Sequence, residues 1–242
     1  MNQFQRTELL IGKEGLKKLQ AAHVIVFGIG GVGGYVVEAL ARSGVGELTL
    51  VDSDNVSLTN LNRQIIATHE TIGQSKVQVM AKRISSINPA CKVHPKQIFF
   101  LPDNQEQFDF SLYDYVVDAV DTVSAKISLF LSAQAVNTPI ISSMGTGNKL
   151  NPAMFEVADI YKTSVCPLAR VMRQSLKKRG VKKLKVVYSK ELPIEQKIDD
   201  SLKEEIAQEN SSKKSIPGSS AFCPPVAGMI LASEVVKDLI QC

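Results

Sequence analysis

Apolar residues in the first part of the chain form short continuous runs that alternate with stretches of helical spacing. The run AHVIVFG, residues 22–28, is rich in β-branched residues and ends on glycine, which is typical of a buried strand. Residues 34–44 carry apolar side chains at helical spacing and also end on glycine, so they predict a helix that starts inside a glycine cluster. The run ELTLVD, residues 47–52, predicts the second strand.

The same alternation continues to about residue 147. The further elements that it predicts are a helix over about 73–87, strands within 92–100 and 113–121, a helix over 124–137 and a strand within 138–145. Strands that alternate with helices form a parallel sheet through right-handed crossovers. The pattern therefore predicts an α/β fold with a doubly wound, mostly parallel sheet.

The pattern changes after residue 147. This added C-terminal region is predicted to hold a strand that meets an irregular loop within 151–164, a helix over 167–179, a strand over 184–189 and a closing helix over 225–240. Residues from about 194 to 220 are polar with few apolar anchors, so we expect a mobile loop there.

Composition places the chain among ordinary globular proteins. Of 242 residues, 44% are hydrophobic and 21% are charged. The longest apolar run, PPVAGMILA, is about half of the ~20 residues that a membrane span needs, and no signal-peptide pattern is present. The four cysteines include no CxxC pair, which argues against a zinc site built from two such pairs and against a disulfide framework. Cytoplasmic residence is the expectation.

Charge is distributed unevenly, although the formal net charge is only +4. Residues 170–185 hold many basic side chains and no acid. Such a run is either a solvated helix face or a surface for a phosphate backbone. The candidate nucleic-acid-binding residues are Arg170, Arg173, Lys177, Lys178, Arg179, Lys182 and Lys183.

The glycine cluster between the first strand and the first predicted helix carries the clearest chemistry. Gly28, Gly30 and Gly33 form G-x-G-x-x-G, with Gly31 between them. Such glycines permit a tight turn and let a phosphate approach the free N–H groups of a helix start, as in Rossmann-like folds. Asp52 follows about twenty residues later, where a carboxylate can accept hydrogen bonds from ribose hydroxyls. A nicotinamide cofactor and ATP both fit this motif.

Polar residues beyond the motif favour ATP. Asp54, Asn60, Arg63, Lys76 and Asp121 follow predicted strands or lie close after them. Because ligands bind at the carboxyl ends of parallel strands, these side chains are expected to converge on the glycine loop. Arg63 and Lys76 could neutralise the charge of a triphosphate, and Asp121 could hold its Mg²⁺.

These motifs also identify a family. The segments GIGGVG, VDSDNVSLTNLNRQ, GQSKV and DAVDT resemble the ThiF/MoeB/HesA family of adenylating enzymes related to ubiquitin activators. The resemblance implies a ThiF/MoeB-like fold and an ATP site at Gly30, Asp52, Asn60, Arg63, Lys76 and Asp121. It also implies a homodimer in which Arg6 reaches the active site of the neighbouring subunit.

The second half resembles one branch of that family. Residues 159–181, 186–191 and 217–239 are similar to the branch that dehydrates threonylcarbamoyladenosine in tRNA. The resemblance implies one adenylating domain over 1–242, with a nucleotide-binding part at 1–147 and a substrate- and tRNA-binding part at 148–242. Its implied reaction adenylates a carboxylate and then closes a ring within the same side chain.

Two other functions stay open at this point. An activator of a small sulfur-carrier protein would keep the same ATP site, and an NAD-dependent oxidoreductase would use only the glycine loop. A cysteine desulfurase or sulfur acceptor is a further possible partner. Cys166 and Cys223 could form a thioester in a carrier activator, but small buried thiols are the more ordinary interpretation.

Overall fold

The computed structural model describes residues 2–197 and 217–241. The strands are β1 (His23–Phe27), β2 (Glu47–Val51), β3 (Lys92–Lys96), β4 (Tyr115–Asp118), β5 (Ile140–Ser143), β6 (Phe155–Asp159) and β7 (Lys185–Ser189). The helices are α1 (Gln5–Ala21), α2 (Gly33–Ser43), α3 (Lys76–Ile87), α4 (Val123–Ala135), α5 (Pro167–Lys177) and α6 (Cys223–Gln241).

The seven strands form one sheet in the order β3-β2-β1-β4-β5-β7-β6. Every neighbouring pair is parallel except β6 and β7, which are antiparallel. This arrangement confirms the expected α/β fold with a mostly parallel sheet. The chain proceeds from β1 to β2 on one side and places β4 on the other side, so a crevice opens between β1 and β4 at their carboxyl ends.

The core lies on both faces of the sheet because successive strand residues point in opposite directions. Val24 and Val26 of β1 pack with α1, α2, α3 and α6 on one face. Ile25 and Phe27 pack on the other face with α4 and with the segment that follows β3. A central strand that is covered on both sides has a continuous apolar sequence, as the run at 22–28 does.

The main departures from the predicted elements lie at the edges of the fold. Helix α1 was not predicted, because its residues are mixed and polar and only Gly15, Leu16 and Leu19 are buried. Strand β3 ends at Lys96 rather than near residue 100. It lies at the edge of the sheet, where Pro95 is tolerated because one side of the strand needs no ladder partner.

The loop predicted over about 194–220 falls mostly outside the described residues. Residues 194–197 and 217–220 are described and contain no helix or strand. In the described part of the chain, no helix combines the length and the apolar character that crossing a membrane requires.

Candidate functional site

A cavity of about 720 Å³ lies at the carboxyl ends of β1, β2 and β4, at the crevice that the strand order creates. Its volume is within the range of small-molecule sites, roughly 300–1,000 Å³. Nine of the predicted site residues line it: Gly28, Gly30, Gly31, Asp52, Asp54, Asn60, Arg63, Lys76 and Asp121. The structure therefore brings together residues that lie up to 93 positions apart in the sequence (28 to 121).

The glycines have separate roles in this loop. Gly28 has φ +86°, and a Cβ there would lie 2.7 Å from the carbonyl oxygen of Ala119. A Cβ on Gly33 would lie 1.7 Å from the carbonyl oxygen of Gly28, so Gly33 allows α2 to start against the strand end. Gly33 does not line the cavity, and its role is packing. A Cβ on Gly30 would meet only the Gln64 amide at 3.8 Å, so the backbone there is open to an approaching phosphate.

Asp52 holds the glycine loop against the end of β2. Its Oδ2 accepts a hydrogen bond from the backbone N–H of Ile29 at 2.6 Å, and its Oδ1 accepts from that of Asp54 at 2.9 Å. Burial raises the pKa of the Asp52 carboxyl, and the nearby charge of Lys76 opposes that rise. The carboxylate keeps lone pairs that can accept from ribose hydroxyls.

Lys76 begins α3 and points into the cavity from a buried position. Its Nζ lies 2.8 Å from Asp54 Oδ2, while its side chain is 7% exposed and that of Asp54 is 61% exposed. An ammonium ion that is buried beside one exposed carboxylate is a strong attractor for phosphate oxygens.

Arg63 and Asn60 lie on the short helical turn after β2. The Arg63 guanidinium donates to the carbonyl oxygen of Thr59 at 3.0 Å and to Asn62 Oδ1 at 2.9 Å. Burial lowers the pKa of this guanidinium from its ordinary value. Asn60 is buried, and its Oδ1 accepts from the backbone N–H of Ser57 at 3.2 Å. Asn60 thus orders the turn that presents Arg63.

Asp121 lies in the loop between β4 and α4, and a buried ion pair holds that loop. Lys126 Nζ lies 2.9 Å from Asp118 Oδ2 and donates to the carbonyl oxygen of Val120 at 3.0 Å. The Ser142 hydroxyl donates to Asp118 at 2.5 Å, and the N–H of Val120 donates to Asp118 at 3.2 Å. These bonds fix the residues on the β4 side of Asp121, which is itself exposed.

Sequence reasoning missed three residues of this site. Asp118 and Lys126 are each 1% exposed; Asp118 is the first residue of the DAVDT segment, and Lys126 is a lone lysine within the apolar helix that follows it. Gln64 ends the SLTNLNRQ segment and lines the cavity. Its Oε1 is buried and has no hydrogen-bond partner among the described residues, which is the state expected of a group that awaits a ligand or water.

Arg6 does not line the cavity of its own chain. It is exposed on α1, next to Phe4, and the Phe4 ring packs near Gly44 in the turn before β2. That turn lies at the amino ends of the strands, opposite the cavity. Arg6 therefore does not reach the cavity of its own subunit.

The basic segment also lies away from the cavity. Lys177, Lys178, Arg179, Lys182 and Lys183 are exposed in the turn that connects α5 to the amino end of β7. Arg170 is exposed near the start of α5. Arg173 is half-buried and donates to the carbonyl oxygen of Thr163 at 3.0 Å, so part of its hydrogen-bonding capacity is used within the fold.

The described cysteines are all buried. Burial raises the pKa of the Cys91 thiol to about 11 and raises that of Cys223 as well. Cys166 is 2% exposed and precedes α5. The raised pKa of Cys91 and Cys223 disfavours the thiolate form that a nucleophile needs, and the burial of Cys166 limits access to its sulfur, so all three positions favour the buried-thiol interpretation. Cys242 lies outside the described residues.

The cavity fits a nucleoside triphosphate with a divalent cation. The open backbone at Gly30 and the cations of Arg63 and Lys76 face the space where phosphates would lie. The Asp52 carboxylate can accept hydrogen bonds from the ribose hydroxyls. Mg²⁺ is usually held by one or two carboxylates together with substrate phosphates, and Asp121 is placed to be such a carboxylate. None of the three histidines, all in the described part of the chain, lines the cavity, so no histidine is positioned as a general base there.

Known proteins match the whole length of the chain. The model of the ThiF family matches residues 4–242. A tRNA threonylcarbamoyladenosine dehydratase of Bacillus subtilis (strain 168) is 46% identical over 246 residues, which cover 100% of this chain and 96% of that protein. The structure of the Escherichia coli tRNA N6-threonylcarbamoyladenosine dehydratase TcdA in complex with AMP matches with a TM-score of 0.88 and 34% identity, covering 99% of this chain and 94% of that one.

The same Escherichia coli enzyme in complex with ATP matches with a TM-score of 0.87 over the same shares of the two chains. The family model spans nearly every residue, including all those that line the cavity. The chain belongs to the ThiF family.

Proposed function

We propose that this chain is an ATP-dependent tRNA threonylcarbamoyladenosine dehydratase. The observation that carries the proposal is the full-length similarity to the Bacillus subtilis dehydratase at 46% identity. The cavity adds a physical reason, because its glycine loop, Arg63 and Lys76 suit a triphosphate. The ATP and AMP complexes of the Escherichia coli enzyme support ATP over a nicotinamide cofactor.

The reaction converts a poor electrophile into a good one. A carboxylate does not lose oxygen at neutral pH, but a carboxyl-AMP mixed anhydride has AMP as a leaving group. A carboxylate oxygen of the threonylcarbamoyl group attacks the α-phosphorus of ATP, and pyrophosphate leaves. A nucleophile in the same side chain then attacks the carboxyl carbon, loses its proton and expels AMP. The oxygen lost from the substrate stays on AMP, so the net change in the nucleoside is loss of one water.

Ring closure is intramolecular, and this lowers the demand on catalytic groups. Well-oriented intramolecular reactions reach effective molarities of about 10⁵ M or more. The chain therefore needs to hold the adenylated group in a reactive geometry rather than supply a nucleophile. The buried state of Cys166 and Cys223 agrees with a route that forms no thioester.

The roles of the cavity residues follow from their charges. Arg63 and Lys76, with Arg6 from a second copy of the chain, stabilise the phosphate charge that develops as pyrophosphate leaves. Asp52 holds the ribose, and Asn60 orders the turn that presents Arg63. Asp121 holds Mg²⁺, which when bound neutralises phosphate charge.

The proposal extends to partners. The basic segment, Arg170 to Lys183, contacts the phosphate backbone of tRNA. The enzyme works as a homodimer, as the family resemblance implies, and the place of Arg6 on the far side of its own subunit is compatible with a role in the partner's site. A cysteine desulfurase or a sulfur acceptor is a further proposed partner, and the cytoplasm is the proposed compartment.

Exchange of labelled pyrophosphate into ATP tests the adenylation step. We expect exchange that requires tRNA bearing threonylcarbamoyladenosine, because only that carboxylate accepts AMP. Arg63→Ala and Lys76→Ala should lose exchange while keeping the circular dichroism spectrum of the folded chain. Asp121→Asn should lose it as well, and the exposed Asp103→Asn serves as the matched control with normal exchange.

Two outcomes would overturn the proposal. Exchange that depends on a small carrier protein rather than on tRNA would favour the sulfur-carrier activator. Tight NAD binding without ATP binding would favour the oxidoreductase.

A further inference from the structure

A cluster of two histidines and one glutamate lies at the amino ends of β1, β2 and β3, on the opposite edge of the sheet from the nucleotide cavity. His23 starts β1 and pairs in register with Glu47, the first residue of β2. His94 is on β3, beside β2. The strand order brings the three together, although 71 positions separate His23 from His94 in the sequence (23 to 94).

The donor atoms of this cluster have the spacing that a small metal ion requires. His94 Nε2 lies 2.8 Å from Glu47 Oε1, and His23 Nδ1 lies 3.7 Å from the same oxygen. One donor atom from each residue lies within 4.8 Å of the others. In a tetrahedral zinc site with bonds of about 2.0–2.1 Å, neighbouring donors are about 3.3 Å apart. The two distances to Glu47 lie on either side of that value, and the two imidazole nitrogens are at most 4.8 Å apart, so small side-chain rotations would bring all three donors to bonding distance from one ion.

Buried groups behind His23 set its orientation. His23 Nε2 lies 2.9 Å from the hydroxyl of Thr49, which is 1% exposed, and the Tyr113 ring packs edge-on against the imidazole at 4.7 Å between ring centroids. When Nε2 carries the proton and donates it to Thr49, Nδ1 presents its lone pair towards Glu47. Metal-binding histidines usually have such a partner on the other ring nitrogen, because it fixes the tautomer and the ring angle.

The electrostatic surroundings suit a neutral imidazole and a cation. Burial lowers the pKa of the His23 imidazole. His94 Nε2 and Glu47 Oε1 lie within hydrogen-bonding distance, so a bound ion takes the place of the proton between them. Asp114 adds a negative charge near His23, and Lys92 adds a positive charge near Glu47.

We propose that His23, Glu47 and His94 form a binding site for one divalent transition-metal ion of the zinc class. Two imidazoles and one carboxylate are a common ligand set for such ions. Three protein ligands leave the fourth position of a tetrahedral ion for water. The ion joins three neighbouring strands and secures edge strand β3, which otherwise has a partner on one side only. This role is independent of adenylation.

Titration of the full chain with Co²⁺ and Zn²⁺ tests the proposal. Co²⁺ in a tetrahedral site with nitrogen and oxygen ligands gives visible absorption that reports its geometry, and calorimetry with Zn²⁺ gives stoichiometry and Kd. We expect one ion per chain. A hundredfold excess of Zn²⁺ over Kd should raise Tm by about 5–10 °C.

Variants identify the ligands. His94→Ala and Glu47→Gln should weaken binding at least tenfold, which cuts the rise in Tm at the same Zn²⁺ concentration to about half or less. His94 is exposed, so its loss leaves the fold intact, whereas His23→Ala also changes the first residue of a central strand. The matched control is His69→Ala, since His69 is the remaining histidine of the chain and is exposed after β2. Equal binding by His69→Ala and His94→Ala, or no binding by the unmodified chain, would overturn the proposal.

Discussion

Lys126 and Asp118 form a fully buried ion pair, with 2.9 Å between Nζ and Oδ2, directly beneath the loop that carries Asp121. Lys126 also donates to Val120 in that loop, so one ammonium group connects the end of β4, the loop and α4. A buried ammonium group such as that of Lys126 is tolerated only because the opposite charge of Asp118 lies beside it. The pair therefore positions the carboxylate that is proposed to hold Mg²⁺, without itself lining the cavity.

Replacing Lys126 should damage both stability and the loop. Lys126→Met leaves Asp118 buried without its counter-ion, and we expect the free energy of unfolding to fall by about 3–5 kcal/mol. Urea unfolding at neutral pH measures this. Lys82→Met, an exposed change on α3, should alter stability by less than about 0.5 kcal/mol. Similar stability of the two variants would show that the buried pair does not secure the loop.

The charge of Lys76 should hold down the pKa of the Asp52 carboxyl. Burial raises the pKa of Asp52 and the charge of Lys76 opposes it, so Lys76→Met should raise the Asp52 pKa further. Carbon-detected NMR of the carboxyl group against pH measures the value, with Lys82→Met as the control. A pKa that stays the same or falls in Lys76→Met would contradict the geometry of the cavity.

That titration has a consequence for stability. The folded state holds the Asp52 proton more tightly than the unfolded chain does, because its pKa is raised on folding. The corresponding stability is present below the unfolded pKa and is lost as pH rises through the folded pKa. Because Lys76→Met raises the folded-state pKa of Asp52, this fall in the free energy of unfolding should continue to higher pH in that variant. Urea unfolding at several pH values measures it.

Arg6 should act across a subunit interface. Arg6→Ala and Asp121→Ala subunits are each expected to be inactive as homodimers. When they are mixed, a hybrid dimer contains one site with both residues intact, so partial pyrophosphate exchange should return. Mixtures that stay inactive, although native mass spectrometry shows that subunits have exchanged, would exclude action in trans.

The basic segment should give tRNA binding its salt dependence. Replacing Lys177, Lys178 and Arg179 with Ala should weaken tRNA binding and flatten its dependence on salt by about 0.7–0.9 log units per lost phosphate contact. ATP binding should stay unchanged, because the cavity is at the opposite edge of the sheet.

A charge-matched control separates local contact from net charge. Lys13, Lys17 and Lys82 are exposed, and replacing these three with Ala removes the same charge from α1 and α3. That control should bind tRNA with nearly the original salt slope. Equal slopes for both triple variants would mean that residues 170–183 are only a solvated face.

The sequence was sufficient to predict two parts of the site: the part that follows from a local motif, and the part that follows from ligands binding at the carboxyl ends of parallel strands. The glycine spacing and Asp52 follow from the strand–turn–helix motif, and the convergence of Arg63, Lys76 and Asp121 follows from parallel strands meeting at one edge. The prediction of the sheet type was confirmed for the same reason.

Long-range pairings could not be predicted in this way. In the sequence, Lys126 is one polar position on an apolar helix. The packing of α4 on β4 is what brings it to its partner Asp118. The histidine and glutamate cluster depends on β2 lying between β1 and β3. Helix α1 has few apolar anchors, so its docking on α6 was not visible in the pattern.

Mass spectrometry of the modified nucleoside tests the central claim most directly. The purified chain is incubated with tRNA bearing threonylcarbamoyladenosine, ATP and Mg²⁺, and the tRNA is then digested to nucleosides under mild conditions. The account predicts that threonylcarbamoyladenosine is replaced by a product lighter by one water, with one AMP and one pyrophosphate formed per product, and that Arg63→Ala yields none. An unchanged nucleoside in the presence of ATP, Mg²⁺ and folded protein that binds ATP would contradict it.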